Sequence, residues 1–381
     1  MKRPDRASLS QRFFPGLLLA LAAVAPAAAR AAPDLSRIVL PEGFAIEVFA
    51  EVPLARSMAL GDRGTVFVGT RKDDRVWAIP TRAGEGGRVE PAGPPVVIAS
   101  GLNTPNGVAF RDGDLYVAEI SRITRYPGIE GRLDDPPAPR VVRDDFPTAT
   151  HHGWRYIAFG PDGRLYVPIG APCNICNEDG FAVITRLEPD GKGREVFARG
   201  VRNSVGFTWH PRTGEMWFTD NGRDWMGDDL PPDELNRAPR AGLHFGYPYC
   251  HGDGIADPEY GEGVDCDRFE APAQALGPHV AGLGVKFYTG DAWPERWRDQ
   301  VFIAEHGSWN RSEKIGYRVS VVRLEGNEAV AYEPFAEGWL QGDKVSGRPV
   351  DLLVLPDGSM LVSDDYAGAI YRITWKGSPG E

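Results

Sequence analysis

Three side chains that could bind an anion or move a proton stand at nearly the same distance before a repeated turn. His152 and Arg202 each lie nine residues before the proline of their copy of the turn, and Arg348 lies eight before its copy. Arginine binds planar carboxylates through two parallel hydrogen bonds, and a histidine beside arginines is biased towards its neutral, proton-accepting form. This combination suits a pocket that binds an anionic cofactor with several carboxylates and takes a proton from an alcohol.

A histidine at a strand end has a simpler interpretation, because a backbone carbonyl can satisfy its hydrogen bonding. His151, His279 and His306 are also competing candidates for the base. Successive side chains of a strand point to opposite faces, so the sequence predicts that only one of His151 and His152 faces the axis of the fold. The offset that His152 shares with Arg202 favours His152.

A second set of charged residues lies about nine residues after the same turns. This set comprises Arg71, Asp220, Asp365 and, at the matching place of a degenerate copy, Glu305. Residues 220–224, Asp-Asn-Gly-Arg-Asp, crowd carboxylates and carbonyls together as cation-binding turns do. A turn in which an aspartate side chain closes the end of a strand fits these residues equally well.

These offsets are set by a repeated unit in which a turn is followed by an apolar strand. The six copies begin at Asp62, Arg111, Pro161, Pro211, Trp297 and Pro356. The first four copies are 49, 50 and 50 residues apart. Each copy is a hairpin followed by a third alternating strand, and alternation bounded by glycine and proline is typical of strands. Six such units predict an all-β fold, a six-bladed β-propeller in a single domain.

The predicted ring needs a closing strand and contains one long insertion. Residues 44–49 are expected to form the outer strand of the last blade, which otherwise ends at 369–373. The insertion, residues 226–277, falls between the fourth and fifth units and is rich in glycine, proline, aspartate and aromatic residues. It predicts an ordered loop that covers one face of the ring.

Four cysteines form two local pairs. Cys173 and Cys176 are separated by two residues, and Cys250 and Cys266 by fifteen, so disulfides 173–176 and 250–266 are the simplest pairing in an exported chain. The second would staple the long insertion. A zinc site is the alternative, although the two clusters do not show paired Cys-x-x-Cys spacing. A redox-active Cys-x-x-Cys pair is a further alternative.

Residues 1–32 have the pattern of a signal peptide. Basic residues precede an apolar segment at 13–29, and small residues follow where a signal peptidase would cleave. An uncleaved membrane anchor is the alternative, although the apolar segment is short for a span of about 20 residues. The sequence therefore predicts a periplasmic or secreted propeller, residues 33–381. Removing residues 1–32 changes the net charge from −11 to −15, which argues against nucleic acid or anionic lipid as partners.

Several short motifs follow one another in a recognisable order. They are His152 before Phe-Gly-Pro-Asp-Gly at 159–163, Arg202 with Asn203, residues 221–224 and 233–236, and residues 347–351 before Pro-Asp-Gly at 356–358. With these motifs the chain resembles the soluble quinoprotein glucose, aldose-sugar and sorbosone dehydrogenase family, which uses pyrroloquinoline quinone (PQQ). Residues 304–311 and the segment 173–176 are most similar to the sorbosone branch. The family has a six-bladed fold, in agreement with the repeat.

The resemblance implies a mechanism. PQQ would lie over the mouth of the funnel, and a calcium ion on the main-chain carbonyls of Gly222 and Arg223 would polarise the quinone. His152 would take the hydroxyl proton of the sugar while hydride passes to PQQ, and Arg202 would stabilise the negative charge that develops. Electrons would then pass to an external soluble or membrane acceptor.

The resemblance also implies cofactor ligands, and three positions depart from the family pattern. Asn203 and Arg348 would hold PQQ together with Arg202. Val350, Gly307 and His151 stand where glucose-oxidising members have an arginine, a lysine and an aspartate. The PQQ carboxylates therefore need other partners, for which the candidates are Arg71, His306, Arg311 and Lys344.

The sequence thus predicts a PQQ- and calcium-dependent dehydrogenase that oxidises an aldose or a sugar aldehyde such as sorbosone. A calcium-dependent lactonase of the gluconolactonase-like propellers is the first alternative. It would use Glu305, Asp220 and Asp365 as metal ligands, but it would leave the histidine and the two arginines without a role. A propeller that binds a protein or peptide without catalysis is the second alternative, and it would tolerate the loss of His152.

Overall fold

The structure, a computed structural model, describes residue 1 and residues 33–377. The predicted signal peptide, apart from its first residue, lies outside the described residues. Within the described part, the helices are five three-residue 3₁₀ turns at Leu35–Arg37, Glu85–Gly87, Ile129–Gly131, Cys266–Arg268 and Glu295–Trp297. No helix of the described residues has the length and apolar character needed to cross a membrane.

The strands form six sheets, each built on four antiparallel strands, and the sheet of blade 3 gains a short fifth strand in parallel, so the predicted six-bladed β-propeller is confirmed. Blade 1 comprises Ala55–Leu60, Val66–Thr70, Val76–Ile79 and Val96–Ala99; blade 2 comprises Gly107–Arg111, Asp114–Ala118, Ile123–Tyr126 and Arg140–Arg143; blade 3 comprises Ala158–Phe159, Leu165–Ile169, Val183–Leu187 and Glu195–Arg199. Blade 4 comprises Phe207–Trp209, Met216–Asp220, Glu234–Ala238 and Gln274–Ala275; blade 5 comprises Gly282–Phe287, Val301–Glu305, Arg318–Glu325 and Glu328–Ala336; blade 6 comprises Pro349–Val354, Met360–Asp364, Ala369–Trp375 and Phe44–Glu51.

The repeated turn joins the first and second strands of each blade and requires a residue in the left-handed backbone conformation. At the same position of each copy stands a residue with positive φ, a conformation that glycine adopts without steric cost, and in the second copy the preceding Asp112 has positive φ as well. The residues at the shared position are Gly64, Gly113, Gly163, Gly214 and Gly358, with Asp299 in blade 5. The fifth copy is degenerate in sequence because an aspartate holds this position there.

The core lies between the blades. Six clusters of buried apolar side chains each join two neighbouring blades, and together they run round the whole ring. A blade that lost its neighbour would expose one of these clusters to water, at roughly 25 cal/mol per Å² of apolar surface. The ring is therefore stable only as a closed unit.

The N-terminal strand closes the ring, as predicted. Phe44–Glu51 pairs antiparallel with Ala369–Trp375, with Phe44 opposite Trp375. The Phe44 ring makes edge contacts with Trp293, Trp297, Phe335 and Trp375 at centroid distances of 4.8–5.4 Å. The first strand in the chain thus completes the blade that is made last.

The predicted insertion lies inside blade 4. Glu234–Ala238 is the third strand of that blade and Gln274–Ala275 is its fourth, so the long connection runs from 239 to 273. Glu234–Ala238 is short and half polar, and its alternation is too weak to detect from the sequence. Within the connection, Leu243–His244 pairs in parallel with the outer strand of blade 3, and Cys250–His251 pairs with Ile255–Ala256.

Both predicted disulfides are present, Cys173–Cys176 and Cys250–Cys266. The first follows the second strand of blade 3, and the second closes the long connection of blade 4. Two further short pairs lie outside the blades. They are Thr81–Ala83 with Val89–Pro91 and Leu340–Gln341 with Lys344–Val345.

Candidate active site

A cavity of about 580 Å³ opens on the axis of the propeller. Its lining comes from blades 1, 3, 4, 5 and 6 and from the loops between their strands, and it includes His152, Arg202 and Arg348. The nearly equal offsets therefore identified side chains that line one cavity. Below them, Trp154 packs on an apolar cluster that contains Leu283, and both of these side chains reach the cavity wall.

His152 is buried, with 8% of its surface exposed, and its backbone is left-handed with φ of 47°. Its Nδ1 lies 2.9 Å from the carbonyl oxygen of Ala171, so the ring carries its proton on Nδ1 and a lone pair on Nε2. Burial, followed by the charges of Arg202 and His151, lowers the pKa of His152 well below 6.5. At neutral pH the imidazole is therefore uncharged, is oriented by the Ala171 carbonyl, and can accept a proton at Nε2.

His151 also lines the cavity, so the prediction that only one of the two histidines faces the axis is wrong. The blade 3 strand begins only at Ala158, and the left-handed turn at His152 breaks strand alternation before it. The two imidazole centroids are 4.1 Å apart. His151 is exposed, and partial burial together with Arg202 lowers its pKa as well.

Arg202 is fixed by oxygen atoms on every side of its guanidinium group. Its Nε and Nη2 donate to the carbonyl and side-chain oxygens of Asn174, each at 2.8 Å. Its Nη1 donates to the carbonyls of Asn221 and Gly222 at 3.0 and 2.8 Å. Asp224 lies 3.3 Å from Nη2. Five hydrogen bonds hold one planar cation beside His152, and this geometry fixes its position in the cavity wall.

Asn174 is a site residue that the sequence analysis missed. Besides holding Arg202, its Oδ1 accepts from the Asp224 amide at 2.8 Å and its Nδ2 donates to the Asp224 carbonyl at 3.1 Å. It lies inside the Cys173–Cys176 bridge, where the Tyr247 hydroxyl accepts from the Cys176 amide. Its place between two cysteines was the only signal in the sequence.

Another part of the cavity wall carries more positive than negative charge. Asp365 is shared by Arg56 at 3.0 Å, Arg348 at 3.3 Å and the His306 Nε2 at 3.0 Å. Burial lowers the pKa of His306 to about 4, so its ring is neutral and donates to Asp365. One carboxylate therefore faces two guanidinium groups. Beside them, Arg71 stacks on Trp154 with 3.5 Å between guanidinium carbon and ring centroid.

Two arginines of this wall have unused capacity for an anion. Burial lowers the pKa of Arg71 to about 10, and within residues 33–377 no carboxylate lies within 4 Å of its side chain. The Arg348 Nε is buried and has no hydrogen-bond partner in the same residues. Buried donors without a partner are costly. These arginines fit a ligand with several carboxylates, such as PQQ.

One of the two predicted calcium ligands, the Gly222 carbonyl, already has a cation beside it. The Gly222 carbonyl already accepts from Arg202, whose guanidinium group lies where a cation on that carbonyl would be. A divalent ion beside a buried guanidinium group is repelled at low dielectric. A calcium ion on the Gly222 carbonyl is therefore disfavoured while Arg202 holds its place, and the Arg223 carbonyl stays a predicted ligand.

Three buried carboxyl groups support the blade 4 loops. Asp220 accepts from the amides of Arg202 and Asn203 at 2.7 and 2.6 Å, and Asp233 accepts from the Gly222 amide at 2.8 Å. Glu234 lies opposite Asp220 on the neighbouring strand. Burial raises the pKa of all three. Their role is to hold the backbone that carries Arg202 and Asn203.

The metal ligands of the lactonase alternative are not brought together. Glu305 is buried against Arg318 and Tyr332, away from the cavity, while Asp220 and Asp365 are engaged as described above. In the described part of the chain, no group of three or more histidine, cysteine, aspartate or glutamate side chains could hold a metal.

Two predicted cofactor ligands lie outside the cavity. Lys344 is exposed on the short strand Lys344–Val345. Arg311 donates to the carbonyls of Asp228 and Glu313 at the rim. Both assignments are corrected by these positions, because neither side chain lines the cavity. Of the predicted residues, Arg71, Asn203 and His306 do line it, together with Gly222.

The chain has relatives of known and unknown activity. The TrAA12-like family model matches residues 188–376. An uncharacterised protein of Borreliella burgdorferi is 31% identical over 358 residues, which cover 90% of this chain and 92% of that protein. A PQQ-dependent pyranose dehydrogenase of Coprinopsis cinerea is 26% identical over 238 residues, 48% of this chain. This chain matches only 32% of the length of that fungal enzyme.

The fold is also found in solved structures. The Trichoderma reesei protein of carbohydrate-active enzyme family AA12 has a TM-score of 0.76 and 19% identity, and the match covers 91% of this chain and 98% of that protein. At this identity the likeness concerns the fold. The relative that is 31% identical along nearly all of both sequences leads to one conclusion: the chain belongs to the same family as that Borreliella burgdorferi protein, and residues 188–376 are similar to the TrAA12-like family.

Proposed function

We propose that this chain is an exported PQQ-dependent dehydrogenase that oxidises a hydroxyl group of an aldose or of a sugar aldehyde such as sorbosone. The observation that supports it most strongly is His152, a buried, neutral base at the wall of a cavity that is otherwise rich in arginine. The similarity of residues 304–311 to the sorbosone branch supports the choice of substrate.

Residues on the axis would hold PQQ by its carboxylates. Arg71 and Arg348 have free capacity for an anion, and Asn203 lines the same cavity. When bound, PQQ supplies the two-electron acceptor that the protein itself lacks. Arg202 offers a fixed positive charge next to the reacting groups, which stabilises negative charge that develops there.

His152 moves the proton in this proposal. The Ala171 carbonyl holds Nδ1–H, so Nε2 accepts the hydroxyl proton of the sugar. Because burial and Arg202 disfavour the charged ring, the protonated form is short-lived and loses its proton readily. Reduced cofactor would then pass electrons to an external acceptor, in the periplasm or outside the cell.

Calcium forms no part of this proposal, because Arg202 occupies the Gly222 carbonyl. A calcium ion and the Arg202 guanidinium group would compete for the Gly222 carbonyl oxygen. A protein freed of metal with a chelator should therefore still bind PQQ, and its dissociation constant tells whether calcium is needed.

The test is reconstitution of the purified protein with PQQ, with and without added calcium. Reduction of an artificial dye is then followed with a panel of aldoses and sugar aldehydes. We expect sugar-dependent dye reduction, and His152→Gln should lower the rate by about 10²- to 10⁴-fold while PQQ binding is retained. His151→Gln is the matched control and should keep most of the activity. No dye reduction with any sugar under either condition would overturn the proposal.

A further inference from the structure

Two tryptophans stand exposed at the edge of the cavity. Trp225 is 69% exposed and Trp309 is 67% exposed, and Trp309 also lines the cavity. Their ring centroids are 5.4 Å apart and their planes lie at 86°. The two indoles thus form an open corner that continues the cavity outward. Such large apolar surfaces are unfavourable in water, and on a folded protein they mark binding sites.

The two loops that carry the tryptophans are tied to each other. The Asn310 Nδ2 donates to the Asp224 Oδ1 at 3.0 Å, and the Ser312 amide donates to the Asp228 Oδ1 at 3.0 Å. Arg311 adds a hydrogen bond to the Asp228 carbonyl. These three hydrogen bonds fix residues 224–228 against residues 310–312, so the two tryptophans are held in a defined arrangement.

The backbone conformation of Trp225 also indicates that the surrounding structure holds this side chain in place. Its φ is 72°, in the left-handed region that large side chains rarely adopt. Strain of this kind persists where the surroundings hold it, and it is common at ligand sites. Here it holds an indole in water beside Trp309.

We propose that the Trp225–Trp309 corner binds a second sugar ring, so that the preferred substrates are oligosaccharides or glycosides whose terminal ring enters the cavity. This inference rests on the proposed function. An indole face accepts the apolar C–H face of a sugar ring, and two faces at a right angle fit a ring and its linkage. The exposed carboxylate of Asp229 lies at the same rim and can accept hydrogen bonds from hydroxyl groups.

A protein partner fits this surface less well. A specific protein interface buries about 1,200–2,000 Å², whereas this patch is two rings wide and has the carboxylates of Asp224, Asp228 and Asp229 beside it. Its size and polar rim match a small neutral ligand.

The first experiment measures binding without catalysis. The full-length apoprotein, free of PQQ, is titrated with cellobiose, maltose and glucose while tryptophan fluorescence and heat are recorded. We expect a disaccharide to bind more tightly than glucose, and Trp309→Ala or Trp225→Ala to weaken that binding roughly tenfold. Trp309→Tyr should restore most of it, and Val330→Ala, an exposed apolar residue on a blade 5 strand, should change nothing.

The second experiment measures turnover of the PQQ-loaded enzyme. Trp309→Ala should lower kcat/KM for the disaccharide roughly tenfold and leave kcat/KM for the monosaccharide unchanged. Tryptophan-dependent binding to the apoprotein without any oxidation would confirm the sugar-binding corner but refute the proposed function and, with it, the assignment of oligosaccharides as substrates. Oxidation of sugars that is indifferent to both tryptophans would refute the inference alone. Slower reduction of a protein acceptor with unchanged dye reduction would also refute it, because the corner would then dock a protein.

Discussion

At the scale of single residues, His152 satisfies both interpretations that its sequence position allowed. It is a histidine held by a backbone carbonyl, and the same hydrogen bond leaves Nε2 to act as a base. The surrounding charges then decide its protonation state. Arg202 and His151 act in the same direction as burial, so the side chain stays neutral at physiological pH.

The pH dependence of the reaction should report this environment. Only neutral His152 can accept a proton, and its pKa lies well below 6.5. We therefore expect kcat/KM to stay level down to pH 6.5 and to fall only at lower pH, by about tenfold per unit below the pKa. Dye-linked rates from about pH 4.5 to 8 measure this limb. In Arg202→Met the fall of kcat/KM at acid pH should move up towards pH 6.5. A fall centred at or above pH 6.5 in the wild type would contradict the assignment of His152 as the base.

Asn174 should act as a positioning residue for Arg202. Asn174→Ala removes one side-chain hydrogen bond to Arg202 and both side-chain bonds to Asp224. The guanidinium group is then held less firmly, so we expect kcat to fall by about 10- to 100-fold and the fall of kcat/KM at acid pH to move to higher pH. Asn177→Ala is the matched control, because Asn177 lies in the same loop but bonds only Tyr249. Equal effects in both variants, or a loss of thermal stability with unchanged kcat, would leave Asn174 a purely structural residue.

The sequence predicted the residues that repeat and missed those that do not. His152, Arg202 and Arg348 were found because each stands at a fixed distance before a turn, and the fold converts that distance into a position on the axis. Asn174 has no counterpart at the same offset in other blades, and its contacts with Arg202 span 28 positions. Arg311 and Lys344 were proposed only as cations near the right segments, and charge alone does not say where a side chain points.

At the scale of elements, blade 4 carries much of the site and also a local electrostatic cost. Its second and third strands place Asp220 opposite Glu234, with both side chains buried. The Asn236 Nδ2 donates to Glu234 at 2.9 Å, while the Asn236 Oδ1 is buried without a partner in the described residues. This polar third strand explains why the insertion was placed between blades rather than within one.

The stability of the protein should therefore fall as pH rises. Burial raises the pKa of Glu234 in the folded state above its ordinary 4.5, so the folded state binds more protons than the unfolded state above that pH. The contribution is greatest at or below pH 4.5 and is lost as pH rises through the raised pKa. Glu234→Gln should stabilise the protein at pH 8 by about 1–3 kcal/mol, because Asn236 can rotate and offer its free Oδ1 to the new amide.

Thermal unfolding across this pH range tests the expectation. Glu262→Gln, an exposed carboxyl of the same connection, is the control and should leave the slope of stability against pH unchanged. A Glu234→Gln variant that is less stable than the wild type at pH 8 would mean that the carboxylate is compensated by a contact other than those described.

At the scale of the whole molecule, closure was the most predictable feature. Six copies of one unit can bury their faces only as a ring, and residues 44–49 were the one strand left to complete it. The long connection was less predictable, because its path depends on a parallel pairing with blade 3 and on contacts with the Cys173–Cys176 loop. These contacts join residues 45 and 71 positions apart in the chain and leave no periodic signal.

The closing strand should carry a large share of the stability of the ring. Phe44→Ala removes one ring from an aromatic cluster between blades 5 and 6, and we expect a loss of about 2–4 kcal/mol in the free energy of unfolding. Urea denaturation followed by tryptophan fluorescence measures it. Sugar oxidation below the transition should be unchanged, because Phe44 is remote from the cavity. An unchanged unfolding midpoint would show that the ring holds without this contact.

Closure of the ring by its N-terminal strand also affects the order in which the protein folds. Glu51 pairs with Ala369, so the first strand of the ring waits for a partner 318 positions further along the chain. Contacts of such long range form slowly. In an exported chain the earliest segment to emerge would stay unlatched until the last blade had followed it. Transport could then finish on an open chain, and the axial cavity would come into being, ready to take up its cofactor, only on the far side of the membrane.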